Sequence, residues 1–379
     1  MNTVTRLSVF VACSVLFVYC QKSSNSQATI EKQAFGTLSD GTPVTKYILT
    51  NANGMQVQIM DFGATVLSIS VPDRNGKFAD VTLGYDSARY YERGASYFGG
   101  LVGRYGNRIG KGQFTLDGQQ YQVTRNDGVN HLHGGRKGFN KVMWTAEPQE
   151  SPTDPAITMT YVSKDGEEGY PGTVTIHVTF TVTNDNALKL HYTGTTDKTT
   201  IFNPTHHSYF NLTGDPNNTI LNQELMIRAE KMTPVDAGLI TTGEEVDVAG
   251  TPFDFRTPTK IGTHINDDNE QLKLGHGYDH NWVLDDYNKT VRLAATVYDS
   301  TSGRFMEVLT DQPGLQFYSG NFLNGMGRGK NGVAYKFRTG MCLEAQCFPD
   351  SPNKPQWPSP VLKPGETYQQ TTIYKFSTH

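Results

Sequence analysis

The sequence is poor in cysteine and carries no large excess of either charge. Its 379 residues include four cysteines, and 33 Lys and Arg face 37 Asp and Glu, for a formal net charge of −4. This balance lacks the basic surface that nucleic-acid binding requires, so we expect no nucleic-acid partner. Cys342 and Cys347 are five residues apart, which puts them on opposite faces of one strand. They are predicted to be free, buried residues, so stability must come from a large core.

Apolar runs long enough to cross a bilayer are also absent, since such a span needs about 18 to 20 residues. The 13-residue stretch Leu7–Tyr19 follows Arg6 and precedes a polar segment. This order is typical of a secretory signal peptide. We therefore predict a signal peptide over 1–20, a polar linker over 21–33 and a single exported domain over 34–379, periplasmic or secreted.

A lipid anchor is the alternative fate of the N-terminus. Cys20 directly follows the apolar run, as the acylated cysteine of a bacterial lipoprotein does. A lipobox has an aliphatic residue three positions before that cysteine and a small residue just before it. Phe17 and Tyr19 occupy these positions here, so the match is poor, and an anchor through Cys20 is left open.

Motifs for nucleotide binding and serine catalysis are missing. The segment Gly325–Lys330 resembles a phosphate loop, but Asn324 replaces its first glycine and Asn331 replaces its Ser or Thr. There is no Gly-x-Ser-x-Gly segment, so a serine hydrolase would have no obvious nucleophile.

Helical periodicity is scarce, and short strand-like runs take its place. Turn signals recur every 8 to 15 residues, and Asn53-Gly54 and Asp117-Gly118 predict two hairpins. Strand-like runs and turns alternate without a linker after residue 30, which predicts one large all-β domain, an antiparallel sandwich or barrel. The predicted strands cover residues 45–50, 55–60, 64–71, 113–116, 120–124, 156–163, 173–183, 187–195, 290–298 and 305–310.

Two glycine-rich segments contain polar side chains that could contact a ligand. Arg104, Asn107 and Arg108 lie among glycines, which allow close approach and leave guanidinium and amide donors available. His131 and His133 would share one face of an extended chain. A His-x-His pair is also typical of metal sites in β-barrels, so a metal has to be considered.

Three further segments place polar residues on strand-like sequence. Alternation puts His207 and Tyr209 on one face of their segment and His206 on the other. Asp279 lies in a polar, glycine-rich approach to an aromatic strand, and Gln316 faces away from its apolar neighbours. A lone buried histidine is more often a core residue than a ligand, so these segments count mainly in combination.

Glu344 is the strongest single candidate. It is an ionisable residue in an otherwise uncharged strand, with no Lys or Arg within five residues. Burying an unpartnered carboxylate is costly and raises its pKa, which favours a functional role. Together with the histidines, amides and aromatic rings, it would suit a polyhydroxylated ligand, because a Glu opposite a His supplies a base and an acid.

These motifs resemble the aldose 1-epimerase, or galactose mutarotase, family from about Phe35 to Phe376. The resemblance implies a β-supersandwich of packed antiparallel sheets, and an isomerase that needs no metal or cofactor. Such an enzyme interconverts the α and β anomers of aldohexoses such as D-glucose and D-galactose. The segments that carry the resemblance, in order, are FGATVLSISVPDRNGKFADVTLGYDS, YFGGLVGRYGNRIGKGQFTLDGQQY, NHLHGGRKGFNKVMW, HHSYFNL, GYDHNW, GLQFYSGNF and CLEAQCFPDSPN.

The resemblance also implies roles for individual residues. Glu344 would be the general base that takes the proton of the C1 hydroxyl, and His207 the general acid that protonates the ring oxygen. His133 would assist beside the ring oxygen. The residues implied to hold the sugar are Asn107, Arg108, Asp279, Gln316 and Tyr209.

Three alternatives are left open at this stage. A glycoside hydrolase could use Glu344 and Asp279 as paired carboxylates. A non-catalytic protein could bind a sugar without turnover. A metal-dependent enzyme could use His131 and His133 with His206 or His207. The sequence implies an aldose as the small-molecule partner and indicates no protein partner.

Overall fold

The computed structural model describes residues 27–94, 96–325 and 328–379. The predicted signal peptide and residues 21–26 of the predicted linker lie outside the described residues. Within the described ranges there are two α-helices, α1 (Ala88–Arg93) and α2 (Glu270–Gly275), and no helix there is long and apolar enough to cross a membrane.

Strands dominate the described part of the chain. The first nine are β1 Thr29–Thr37, β2 Pro43–Thr50, β3 Gln56–Met60, β4 Thr65–Pro72, β5 Phe78–Asp80, β6 Leu101–Val102, β7 Arg108–Ile109, β8 Gln113–Leu116 and β9 Gln119–Gln122. The next nine are β10 His131–Leu132, β11 Thr145–Gln149, β12 Ala156–Ser163, β13 Val174–Val182, β14 Ala187–Thr196, β15 Thr200–Ile201, β16 Thr205–His206, β17 Glu224–Ile227 and β18 Lys231–Thr233. The last nine are β19 Val246–Asp247, β20 Thr259–Lys260, β21 Asp279–Val283, β22 Arg292–Tyr298, β23 Arg304–Thr310, β24 Gly314–Tyr318, β25 Cys342–Gln346, β26 Val361–Leu362 and β27 Tyr368–Thr378.

Three antiparallel sheets make up most of the fold. The largest in the described ranges has nine strands in the order β11-β12-β13-β14-β27-β23-β22-β17-β20. A five-stranded sheet follows chain order from β1 to β5, and a second one has the order β19-β18-β21-β24-β25. The predicted all-β antiparallel class is therefore confirmed.

Both predicted hairpins are confirmed. β2 and β3 pair antiparallel, with Leu49 opposite Val57, and β8 and β9 pair with Leu116 opposite Gln119. The Asp117-Gly118 turn has positive φ at both residues, 50° and 78°, as the expected tight turn requires.

The N-terminal strand begins earlier than predicted. β1 starts at Thr29, five residues before the predicted domain start at residue 34, so residues 29–33 are not a linker. The polar composition suggested a linker, but β1 is an edge strand whose side chains are mostly exposed, and Ile30 packs against the core. An edge strand with polar side chains is a common protection against aggregation.

One face of the second five-stranded sheet faces the core. Leu315, Phe317, Leu343 and Ala345 are fully or almost fully buried there, together with Trp282. Alternation along the strands turns the residues between them to the opposite face. Each buried aliphatic or aromatic side chain stabilises the packing of the sheet by roughly 1.5–3 kcal/mol. The sheet is thereby fixed against the core, and its opposite face can carry polar groups.

Candidate active site

Strand register assembles the floor of the site from three strands. In β24, Gln316 lies opposite Asn281 of β21 on one side and Glu344 of β25 on the other. Asp279 begins β21, and its Oδ1 accepts a hydrogen bond of 2.8 Å from Nε2 of Gln316. The structure therefore brings together Asp279, Gln316 and Glu344, all of which the sequence singled out.

Gln346 fixes the orientation of the Gln316 amide. Nε2 of Gln346 donates to Asn281 Oδ1 at 3.2 Å and to Gln316 Oε1 at 3.3 Å. Because Oε1 of Gln316 is occupied in this way, its Nε2 is directed at Asp279. Gln346 was not among the predicted site residues, although its position two residues after Glu344 places it on the same face.

Arg108 approaches the floor from β7. Its Nη1 lies 3.9 Å from Asp279 Oδ2, while its Nε donates to Asp127 Oδ2 at 2.8 Å. The guanidinium thus lies between two carboxylates, of which Asp127 was not predicted. Burial raises the pKa of Asp279, and the nearby Arg108 and the Gln316 hydrogen bond partly oppose that shift.

Arg104 does not join Arg108. It is 2% exposed, and its guanidinium donates to the carbonyl oxygens of Ser163, Pro171 and Gly172 at 2.7–3.0 Å. Burial lowers its pKa to about 10. Of the two arginines in this segment, one belongs to the site and the other is tied to the neighbouring loops.

Asn107 connects Arg108 to His133. It adopts the left-handed conformation, with φ 61°, and its Oδ1 accepts from the Arg108 backbone N–H at 2.8 Å. Its own backbone N–H donates to Nδ1 of His133 at 3.1 Å. Since burial holds the pKa of His133 well below its usual value, the ring is neutral and its proton is on Nε2.

His131 and His133 would share a face only in an extended chain, and the chain is not extended at His133. His133 has φ 50°, so the chain leaves the extended conformation there and the alternation is broken. His131 is bonded through Nδ1 to Thr124 O and through Nε2 to the Tyr170 hydroxyl, each at 2.6 Å. It is a core residue, which removes the His-x-His pair of the metal-site alternative.

A second group could in principle hold a metal ion. The ligand atoms of His133, His207 and Glu344 lie within 4.8 Å of one another. A metal-bound histidine usually donates its other ring N–H to an acceptor. His133 does the reverse, since its Nδ1 accepts from a backbone N–H, and a neutral ring then has no second lone pair for a metal. The donor set suits hydrogen bonding to oxygen better than metal ligation.

His206 points away from His207, as predicted. Its Nε2 bonds Ser208 Oγ at 2.7 Å, and its ring packs near Phe180 and Tyr374 in the core. His207 enters the site instead.

His207 and Glu344 form the centre of the arrangement. Nε2 of His207 lies 3.7 Å from Oε1 of Glu344, and the two residues are 4% and 2% exposed. Burial raises the pKa of Glu344 well above its usual value, with a further increase from Asp279 and an opposing effect of Arg108. Burial lowers the pKa of His207 to about 4. Burial therefore disfavours the charged form of each of the two groups.

Rings and a thiol surround His207. Tyr97 and Tyr209 lie nearly parallel to it, with centroids 5.6 and 5.1 Å away, and Tyr97 also contacts His133 at 4.7 Å. Sγ of Cys342 lies 3.4 Å from its Nδ1. Tyr97 was missed because it lies in a loop with φ 53°, where strand alternation gives no signal.

The two cysteines of the domain are free and buried, as predicted. Cys342 contacts the imidazole of His207, whereas Cys347 bonds Ser351 and the carbonyl of Pro358 on the other side of the strand.

Known proteins match this chain over most of its length. The sequence model of the family described as aldose 1-epimerase matches residues 45–375. The galactose mutarotase of Bos taurus is 42% identical over 92% of this chain and 99% of its own. The aldose 1-epimerase of Escherichia coli K12 is 39% identical over 89% of this chain and 96% of its own.

Solved structures agree with this assignment. The galactose 1-epimerase of Lactobacillus acidophilus superposes with a TM-score of 0.81 at 29% identity, covering 93% of this chain and 99% of its own. A homologue from C. elegans gives a TM-score of 0.79 at 28% identity, with the same coverage. With a family match over most of its length, this chain belongs to the aldose 1-epimerase family of isomerases.

Proposed function

We propose that this protein interconverts the anomers of aldohexoses such as D-glucose and D-galactose, with Glu344 as general base and His207 as general acid. The observation that carries the proposal is the gap of 3.7 Å between His207 Nε2 and Glu344 Oε1. A carboxylate and an imidazole face each other there, with sugar-binding donors on the adjacent strands.

The first half of the reaction opens the ring. The Glu344 carboxylate takes the proton of the C1 hydroxyl, and a C1=O double bond forms as the C1–O5 bond breaks. The imidazolium of His207 gives its proton to O5, which becomes a hydroxyl. The neutral Nε2–H of His133 supports O5 with a hydrogen bond. General acid–base catalysis of this kind contributes about 10² to 10⁴-fold for each group.

The second half reverses the proton transfers. Rotation about C1–C2 presents the other face of the aldehyde, and His207 takes the proton back from the O5 hydroxyl as it attacks C1. Glu344 returns its proton to the carbonyl oxygen. Arg108, Asp279 and Gln316 hold the remaining hydroxyls, so the rest of the sugar stays in place while C1 turns.

The electrostatics of the site suit this exchange. In the productive form of the proposed reaction, His207 carries a proton and Glu344 is ionised. Because Arg108 lowers the pKa of Glu344, it favours that form over a neutral Glu344. No net proton is needed from solvent, because the proton that Glu344 takes during ring opening returns to the sugar during ring closure.

Polarimetry on fresh α-D-galactose and α-D-glucose tests the proposal, with the wild type beside Glu344→Gln. We expect the wild type to accelerate relaxation to the equilibrium rotation and the variant to fall by at least about 10²-fold. Relaxation at the spontaneous rate with wild-type protein on both sugars would contradict it.

The same preparation separates the alternatives. A glycoside hydrolase using Glu344 and Asp279 would release reducing sugar from a glycoside. A non-catalytic protein would bind sugar, by calorimetry, without changing the relaxation rate.

We also propose that the protein acts outside the cytoplasm, on the basis of Arg6 and the apolar segment Leu7–Tyr19. Cell fractionation and N-terminal sequencing of the mature protein test this, since an uncleaved cytoplasmic chain would contradict it. Membrane association that is lost in Cys20→Ala would identify the lipid-anchored alternative.

A further inference from the structure

Arg108 has a partner behind the sugar-binding groups. Its Nε donates to Asp127 Oδ2 at 2.8 Å, whereas its Nη1 lies 3.9 Å from Asp279 Oδ2. A guanidinium is planar and its donors have a fixed arrangement. A bond at Nε therefore determines where the two Nη groups point, and here Nη1 is on the side of Asp279.

Asp127 is held by the backbone around it. Its N–H donates to Asn130 O at 3.1 Å, and its carbonyl accepts from Asn130 N–H at 2.9 Å. The next strand, β10, pairs with β7 so that Leu132 lies opposite Arg108. The carboxylate and the guanidinium are thus attached to paired segments, and little conformational freedom is lost when they bond.

The two partners differ in exposure. The side chain of Asp127 is 37% exposed and that of Arg108 is 10% exposed, so Asp127 lies at the solvent edge of the site. The ion pair alone would contribute little to folding stability at such a place. The ion pair also orients the Arg108 guanidinium, and this orientation decides which oxygens the Nη groups reach.

We propose that Asp127 is a positioning residue for sugar binding, which holds Arg108 through Nε so that the Nη groups face Asp279 and the sugar hydroxyls. The inference rests on the proposed function, because the sugar site is the one described there. Asp127 acts through Arg108 and does not itself take part in proton transfer.

The charge of Asp127 has a second consequence at the base. The groups whose charges act on one another around Arg108 are Tyr97, Asp127, His133, Asp279 and Glu344. Arg108 lowers the pKa of Glu344, and Asp127 neutralises part of the Arg108 charge. Without the Asp127 charge, the positive potential at Glu344 rises and its pKa falls.

Asp127→Ala and Asp127→Asn test the proposal, with Asp117→Asn in the β8–β9 turn as the matched control. KM and kcat are measured by polarimetry on both sugars. We expect Asp127→Ala to raise KM about tenfold with kcat within about twofold, because a charge-assisted bond that orients the sugar ligand is lost. Asp127→Asn keeps an acceptor for Nε and should change KM about threefold or less.

The pH profile and a double-mutant cycle distinguish positioning from a general loss of structure. In Asp127→Asn the pKa of Glu344 should fall, so the limb of the plot of kcat/KM against pH that reports Glu344 should move to lower pH. Asp117→Asn should give the wild-type profile. In an Arg108→Ala background, Asp127→Ala should add no further rise in KM.

Each outcome decides a separate point. An unchanged KM in Asp127→Ala, or a further tenfold rise on top of Arg108→Ala, would overturn the positioning role. Wild-type protein without activity on either aldose would instead overturn the proposed function. If Asp127→Ala loses thermal stability, the KM and pH profile of Asp127→Asn still test the positioning role.

Discussion

The backbone N–H of Asn107 donates to Nδ1 of His133 at 3.1 Å, and this bond decides what His133 can do. With Nδ1 occupied as an acceptor and the ring neutral, Nε2 carries the proton and is a donor. The left-handed conformation of both residues, with φ 61° and 50°, brings the N–H and the ring nitrogen together.

The first prediction concerns metals. Because His133 has no free lone pair for an ion, treatment with EDTA and dialysis should leave kcat/KM unchanged within about twofold. Metal analysis of the purified protein by mass spectrometry should show less than stoichiometric zinc. A loss of activity on chelation that added zinc restores would contradict this reading of His133.

The second prediction concerns stability. The pKa of Glu344 is raised in the folded protein, so the folded state binds more protons than the unfolded state above the ordinary pKa of a Glu, 4.5. Stability from this group is therefore lost as pH rises through that window. Glu344→Gln removes the cost of burying an ionised carboxylate. The variant should therefore melt at a higher temperature than the wild type at pH 7, but not at pH 4.

The matched control for stability is Glu244→Gln, since Glu244 is exposed. Its melting temperature should match the wild type at both pH values by differential scanning calorimetry. A lower melting temperature for Glu344→Gln at pH 7 would show that the ionised carboxylate stabilises the fold.

The third prediction is the acid limb of the rate profile. The pair of His207 and Glu344 works with one bound proton, and burial lowers the pKa of His207 to about 4. A second proton binds only as pH falls toward that value, so kcat/KM should be flat from about pH 7 to 5 and decline below it. An ordinary histidine would give a decline near pH 6.5, and that result would contradict the burial of His207.

The fourth prediction separates the two arginines. Arg104→Met leaves the buried carbonyls of Ser163, Pro171 and Gly172 without their donor, and should lower the free energy of unfolding by about 3 kcal/mol or more. Urea unfolding followed by fluorescence measures it. Arg89→Met, at an exposed position, is the control and should change it by less than about 0.5 kcal/mol.

Several parts of the site followed from sequence because strand alternation has a strict period. Glu344 and Gln316 alternate with buried apolar neighbours, so their faces were predictable without knowing the partner strands. His206 and His207 point in opposite directions for the same reason. At His133 and Tyr97 the chain leaves the extended conformation, so alternation no longer predicts which way the side chain points.

The sequence by itself determined the all-β class, the hairpins, the family and most of the polar inventory, since these depend on local periodicity, turn residues and motif order. Only the tertiary structure decided which polar groups meet. The spacing of His207 and Glu344, the bond from Asp127 to Arg108 and the proton position on His133 depend on contacts between distant segments. Their pKa values depend on burial, which is a property of the packed molecule and not of any one strand.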